Sequence, residues 1–203
     1  MNRVAVFASG RGSNLGALIA AEKDYPSYRV VLVVSNVAGS GALALAAEAG
    51  IEALCIPSRG LDRAVHEQAV LAAVQARTID LICLAGYMRV LGAGFIDGFA
   101  RPILNIHPSL LPSFPGMHAQ KQALEAGVRW TGVTVHFVDS GLDSGPILLQ
   151  EPVRVLADDC ETSLSARVLE TEHRLYPVAV DMVARNNYQI SGRKVLVIPS
   201  TTR

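Results

Sequence analysis

Five aliphatic runs, at positions 4–8, 30–34, 53–56, 80–85 and 103–106, punctuate the first half of the chain. Asp80 and Asn105 apart, each is apolar at successive positions, not at alternate ones. Such a strand must bury both faces, which a parallel sheet with helices on its two sides allows. Helical segments fall between most of the runs. One covers about 15–21, and an alanine-rich one covers 42–49 and closes at Gly50. A third is N-capped by Asp62 and carries Val65, Ala69, Ala72, Ala73 and Ala76. This alternation specifies an α/β fold of Rossmann-like, doubly covered type.

The second half changes character. In 131–138, Val133, Val135 and Phe137 point one way and Thr134, His136 and Val138 the other. That alternation predicts a one-sided strand. With the apolar run at 147–153 it forms a partly antiparallel C-terminal extension of the sheet. A long helix is expected over 161–185 and a closing hairpin over 188–198, around Ser191-Gly192-Arg193. With no repeat and no linker, 1–203 is expected to be a single domain.

Composition narrows the function classes. Lys plus Arg equals Asp plus Glu, at 18 each, so no basic field exists to coat a nucleic acid. Cys55, Cys83 and Cys160 are widely spaced and odd in number. Neither a disulfide framework nor a zinc site is expected, which suits a cytoplasmic setting. No signal peptide is read, and no apolar run reaches the roughly 18 residues of a membrane span, so no membrane partner is expected.

Two stretches carry the chemistry. Gly10-Arg11-Gly12-Ser13-Asn14 joins the first run to the first helix. Glycines let the backbone approach a ligand, and a helix N-terminus offers unpaired N–H groups, so a phosphate would sit well there. The spacing is neither G-x-G-x-x-G nor a Walker A loop, and an ordinary strand-to-helix turn remains the alternative.

The second stretch is Asn105-Ile106-His107-Pro108-Ser109-Leu110-Leu111-Pro112. Ligands bind beyond the carboxyl ends of strands in open parallel sheets. Residues two apart in an extended segment share a side, so Asn105 and His107 project together. Pro108, Pro112 and Pro115 stiffen the loop beyond His107. The alternative is a turn-capping histidine beside an asparagine that satisfies loop backbone. Asp139-Ser140-Gly141-Leu142-Asp143 supplies two carboxylates after another strand. A carboxylate beside His107 would favour its charged form and provide a proton donor. His136 reads as a lining or hydrogen-bonded histidine. His66, His118 and His173 have no ligand spacing, and no metal is expected. Glu172 interrupts the apolar stripe Leu164, Val168, Leu175, Ala179 of the long helix. It either snorkels to water or faces a hydroxylated ligand such as a ribose.

Four blocks together resemble the folate-dependent formyltransferases, specifically the phosphoribosylglycinamide (glycinamide ribonucleotide) formyltransferase family. They are S-G-R-G-S-N at 9–14, A-G-Y-M-R-V-L at 85–91, N-I-H-P-S-L-L-P-S-F-P-G at 105–116 and T-G-V-T-V-H-F-V-D-S-G-L-D-S-G-P at 131–146. The resemblance runs from residue 3 to about 180. It implies a formyltransferase fold with a phosphate-binding N-terminal half and a folate-binding, catalytic C-terminal half. It also implies transfer of a formyl group from 10-formyltetrahydrofolate to glycinamide ribonucleotide in purine biosynthesis.

By the same resemblance, Asn105, His107 and Asp143 are catalytic. Arg11, Gly12, Ser13, Asn14, Gly16 and Glu172 bind the ribonucleotide. Arg63, Met88, Arg89, Val90, Leu91, Asp139, Ser140, Gly141 and Leu142 contact the folate. Ser144 stands where relatives often carry Gly or Thr. Of the sister classes, the deformylase typically adds an N-terminal regulatory domain and the tRNA formyltransferase a C-terminal RNA-binding domain. Neither is expected here, and the expected partners are small molecules, with a homo-oligomer left open.

Overall fold

The computed structural model describes residues 1–198. In chain order its elements are β1 (Asn2–Phe7), α1 (Ser13–Ala21), β2 (Tyr28–Ser35), α2 (Gly41–Glu48), β3 (Glu52–Cys55), α3 (Arg63–Gln75), β4 (Leu81–Leu84) and α4 (Ala93–Phe99). They continue with β5 (Ile103–His107), α5 (Ala119–Glu125), β6 (Trp130–Phe137), β7 (Ile147–Arg154), α6 (Glu161–Ala184), β8 (Tyr188–Ser191) and β9 (Lys194–Val197).

All the strands join one sheet in the order β3-β2-β1-β4-β5-β6-β7-β9-β8. The pairs from β3 to β5 are parallel. β6 is antiparallel to both β5 and β7, and the β8–β9 hairpin closes the edge. The strand order reverses between β1 and β4. There the loops after these two strands are tied together, because Ser9 N–H donates to the Gly86 carbonyl and Met88 N–H donates to the Ser9 hydroxyl. A crevice opens at such a point in α/β sheets.

The runs that are apolar at successive positions split between two cores. Val4, Val6 and Ala8 of the first run, with Leu81, Cys83, Leu104 and Ile106, pack on one face under α1, α2 and α6. Ala5, Phe7, Ile82, Leu84 and Ile103 pack on the other face with Val70 and Val74 of α3 and Phe95 and Phe99 of α4. The third run departs from its expectation. β3 lies at the sheet edge with Ala53 and Cys55 exposed, and only Leu54 and Ile56 reach a core.

β6 also departs, in the opposite sense. It is buried on both faces from Thr131 to Phe137. Val133, Val135 and Phe137 enter the first core, as expected. The polar face is covered by chain instead of water. The Thr134 hydroxyl donates to the Ser109 carbonyl at 2.7 Å and accepts from Leu111 N–H at 3.0 Å and from the Gln150 amide at 2.9 Å. These bonds staple loop 108–118, whose Leu111–Pro112 peptide is cis, across the sheet. Satisfying each buried polar group is what makes a polar strand face tolerable inside.

Two helices leave no mark in the sequence pattern. α4 and α5 have seven residues each, and α4 holds two glycines, so neither has a periodic stripe long enough to recognise.

Candidate active site

The turn after β1 is shaped by close approach. Gly12 has φ +85°, and a Cβ there would lie 2.9 Å from the Cα of Ala42 at the start of α2. Both facts demand glycine. α1 starts at Ser13 with no side-chain cap, and its first helical bond runs from Gly16 N–H to the Gly12 carbonyl. The amides ahead of that bond carry the helix's partial positive charge, the arrangement that suits an anion. Gly16, expected to contact the ribonucleotide, makes this bond. Its amide is spent inside the helix and it has no side chain to offer.

Asn14 and Glu172 are both buried, and the Asn14 amide donates to Glu172 Oε2 at 2.7 Å. This joins the start of α1 to the middle of α6. Burial pushes the Glu172 carboxyl above its ordinary range, against the pull of the Asn14 hydrogen bond. The snorkelling alternative is therefore excluded. Asn14 Oδ1 is buried without a partner. Glu172 also lines a groove of about 570 Å³ with Arg11 of the front turn, Gln120 of α5 and Glu161, Thr162 and Ser165 of α6.

The carboxyl ends of β5 and β6 hold the second group. Asn105 and His136 are direct cross-strand partners, as are His107 and Thr134. His107 Nδ1 lies 3.5 Å from Asp143 Oδ2, and Asp143 Oδ2 accepts from Gly116 N–H at 2.8 Å. His107 Nε2–H donates to the Phe114 carbonyl at 2.9 Å. The Asp143 side chain thus meets a strand segment 36 positions earlier, with two loops fixing the contact. Gly145 lets the 139–146 turn fold back, since a Cβ there would stand 1.9 Å from the Phe137 carbonyl oxygen. His107 is nearly fully buried and its Nε2 is already engaged.

His136 enters this group too. Its Nδ1 faces the Phe137 carbonyl at 2.9 Å, and its Nε2 lies 3.1 Å from Asn105 Nδ2 and 3.8 Å from Asp143 Oδ1. Sequence patterning misses the contact with Asn105. Only the antiparallel register of β5 and β6 reveals it.

The residues that the resemblance assigns to folate differ in exposure. Met88, Val90 and Leu142 expose their side chains, and Ser140 and Gly141 are also exposed. Arg89 is half-buried. Asp139 Oδ1 accepts from Ser144 Oγ and Gly141 N–H, which shapes its turn. Arg63 pairs with Glu67 at 2.8 Å, and Glu67 also accepts from Gly92 N–H at 2.8 Å, anchoring the 86–92 loop to α3. Leu91 is corrected. Its side chain is packed in the core with Phe95, so only its backbone is left for a ligand.

A doubly wound sheet with an amide-lined turn and an Asn/His/Asp cluster defines a class, and comparison with known proteins agrees. The family model described as "Formyl transferase" matches residues 2–180, and the chain belongs to this family. Phosphoribosylglycinamide formyltransferase from Mycobacterium tuberculosis (strain ATCC 25618 / H37Rv) is 43% identical over 197 residues, covering 94% of this chain and 89% of that protein. The trifunctional purine biosynthetic protein adenosine-3 of Drosophila melanogaster is 47% identical over 193 residues, covering 93% of this chain. This chain spans only 14% of that relative's length. Among solved structures, glycinamide ribonucleotide transformylase 1 from Symbiobacterium toebii superposes with a TM-score of 0.94 at 44% identity, covering 98% of this chain and 94% of that one.

Proposed function

We propose that this chain is a phosphoribosylglycinamide formyltransferase of purine biosynthesis, transferring the formyl group of 10-formyltetrahydrofolate to the amine of glycinamide ribonucleotide. The observation that carries the reading is the grouping of Asn105, His107 and Asp143, linked in part through His136, at the carboxyl ends of β5 and β6, in the same sheet whose β1 leads into the uncapped N-terminus of α1. The proposed setting is the cytoplasm, with the chain acting as one domain.

The substrate fit rests on the residues. The amides of Gly12, Ser13 and Asn14, with the Arg11 guanidinium beside them, suit the phosphate. Glu172 suits the ribose hydroxyls, since a buried carboxylate needs donors and Asn14 supplies only one. Met88, Val90 and Leu142 offer apolar walls to a pterin, and exposed loop backbone at 139–142 offers hydrogen bonds.

In the proposed reaction the amine attacks the formyl carbon directly. A C–N bond forms and the carbonyl oxygen becomes an oxyanion. The free N–H of Asn105 donates to that oxyanion, and the cationic form of His107 stabilises it electrostatically. Such donors are commonly worth about 3 kcal/mol each. Asp143 holds His107 through Nδ1–H and accepts the amine's proton by way of water. The tetrahedral species then collapses, the bond to the folate N10 breaks, and that nitrogen takes up a proton. No enzyme nucleophile is required.

The test is an assay of purified protein with 10-formyltetrahydrofolate. Formylated ribonucleotide is expected only with glycinamide ribonucleotide present. The rate should fall at acidic pH as the attacking amine takes up a proton, and a flat profile between about pH 5 and 8 would contradict the scheme. Formate release without the acceptor would instead indicate a deformylase, and transfer to aminoacyl-tRNA the tRNA enzyme.

A further inference from the structure

We propose that His136 is a positioning residue that fixes which end of the Asn105 amide faces the reacting carbonyl. The inference rests on the formyl-transfer reading above and goes beyond it, because it assigns a role to a residue outside the Asn105, His107 and Asp143 trio.

The hydrogen-bond chain has only one consistent direction. The Phe137 carbonyl can only accept, so His136 Nδ1 carries the hydrogen across the 2.9 Å contact. A neutral ring then presents a lone pair at Nε2. Only an N–H can face that lone pair, so the Asn105 atom at 3.1 Å is its amide nitrogen. One N–H of Asn105 is consumed, and the second stays available for the substrate oxygen. A flipped amide would set Oδ1 against the imidazole lone pair and turn an acceptor toward a developing oxyanion. Both contacts are repulsive, so the imidazole selects the productive rotamer.

The backbone is built for this contact. Asn105 and His136 are directly paired across β5 and β6, and the β6–β7 register slips between Val135 and His136. Irregularities of this kind re-aim a side chain next to a site. The ring's charge state agrees with the geometry. Burial pushes the His136 imidazolium below its usual range, and His107 pushes the same way. The Phe137 carbonyl, Asp143 and Asp139 oppose them. A protonated His136 would instead aim Nε2–H at Asp143 Oδ1, 3.8 Å away, and would repel the Asn105 N–H.

A double-mutant cycle tests this. His136→Leu removes the acceptor, while His136→Gln retains one at similar reach. We expect His136→Leu to lower kcat about tenfold with KM for both substrates within about twofold, the pattern of an interaction felt only in the transition state. His136→Gln should recover kcat to within about threefold of wild type. In an Asn105→Ala background, His136→Leu should cost nothing further. Imidazole 15N spectra of the wild type at pH 7 should show His136 as the neutral Nδ1–H form.

Losses that multiply in the double mutant, a loss confined to KM, or an Nε2–H or imidazolium form at pH 7 would each overturn the proposal. If His136→Leu does not fold, His136→Gln and the spectrum decide it. Absence of formyl transfer in the wild type would instead sink the functional reading, and the spectrum would still report the ring's tautomer.

Discussion

The two halves of the site are made of different material. The turn after β1 is a backbone device, in which Gly12 lets α1 begin against α2 and no side chain caps the first amides. The cluster at the ends of β5 and β6 is a side-chain device, in which Asn105, His107, His136 and Asp143 hold one another and loop 108–118 is stapled over them. The difference is one of vulnerability. A backbone cradle is indifferent to which side chains it carries but intolerant of a wrong Cβ. A side-chain cluster stands on a robust strand pair but fails when one functional group is removed.

Substitutions can break or sharpen that contrast. The largest effect is expected for His107→Ala, which removes the cation and leaves Asp143 without its imidazole. Single-turnover formyl transfer should fall by about a thousandfold or more while ribonucleotide affinity, measured by calorimetry, stays within a few-fold. Gly12→Val should do the reverse. Its Cβ meets backbone at 2.9 Å and its φ is left-handed, so stability should drop by about 2–3 kcal/mol in urea unfolding and ribonucleotide KM should rise.

Glu172→Gln separates stability from binding. The wild-type carboxyl is pushed up by burial, so its ionisation costs the native state stability as pH rises from its ordinary value of 4.5 through the higher folded one. The variant should therefore lose less stability than the wild type as pH rises from about 4 to 7 in urea unfolding, and bind ribonucleotide less well. The smallest effect belongs to Ser13→Ala. If the amides do the binding, KM should change by less than about twofold. A large rise would make the cradle a side-chain site and dissolve the contrast.

Sequence patterning exposes the backbone device and the strands more readily than the polar contacts. Continuous aliphatic runs have few alternatives to a doubly covered sheet, so β1, β2, β4 and β5 are legible, as is the long α6 with its interrupting Glu172. The Asn105-x-His107 spacing places two side chains on one side because a strand has a period of two. Nothing local tells that β6 is buried on its polar face, because that depends on Thr134 meeting the carbonyl of Ser109 across 25 positions. For the same reason the Phe114 and Gly116 backbone contacts and the His136–Asn105 pair are hidden. The packing of the Leu91 side chain with Phe95 is likewise hidden, because a hydrophobic residue in a loop can line a ligand slot or plug a core.

The central claim is that formyl transfer occurs at the Asp143–His107 pair and that substrate recognition lies elsewhere. Asp143→Asn tests it most directly, since the amide is nearly isosteric but cannot hold an imidazolium or take a proton. Single-turnover rates with both substrates saturating should fall at least about a thousandfold, with dissociation constants for ribonucleotide and folate within about threefold of wild type. A variant that keeps more than about a tenth of the wild-type rate would contradict the account.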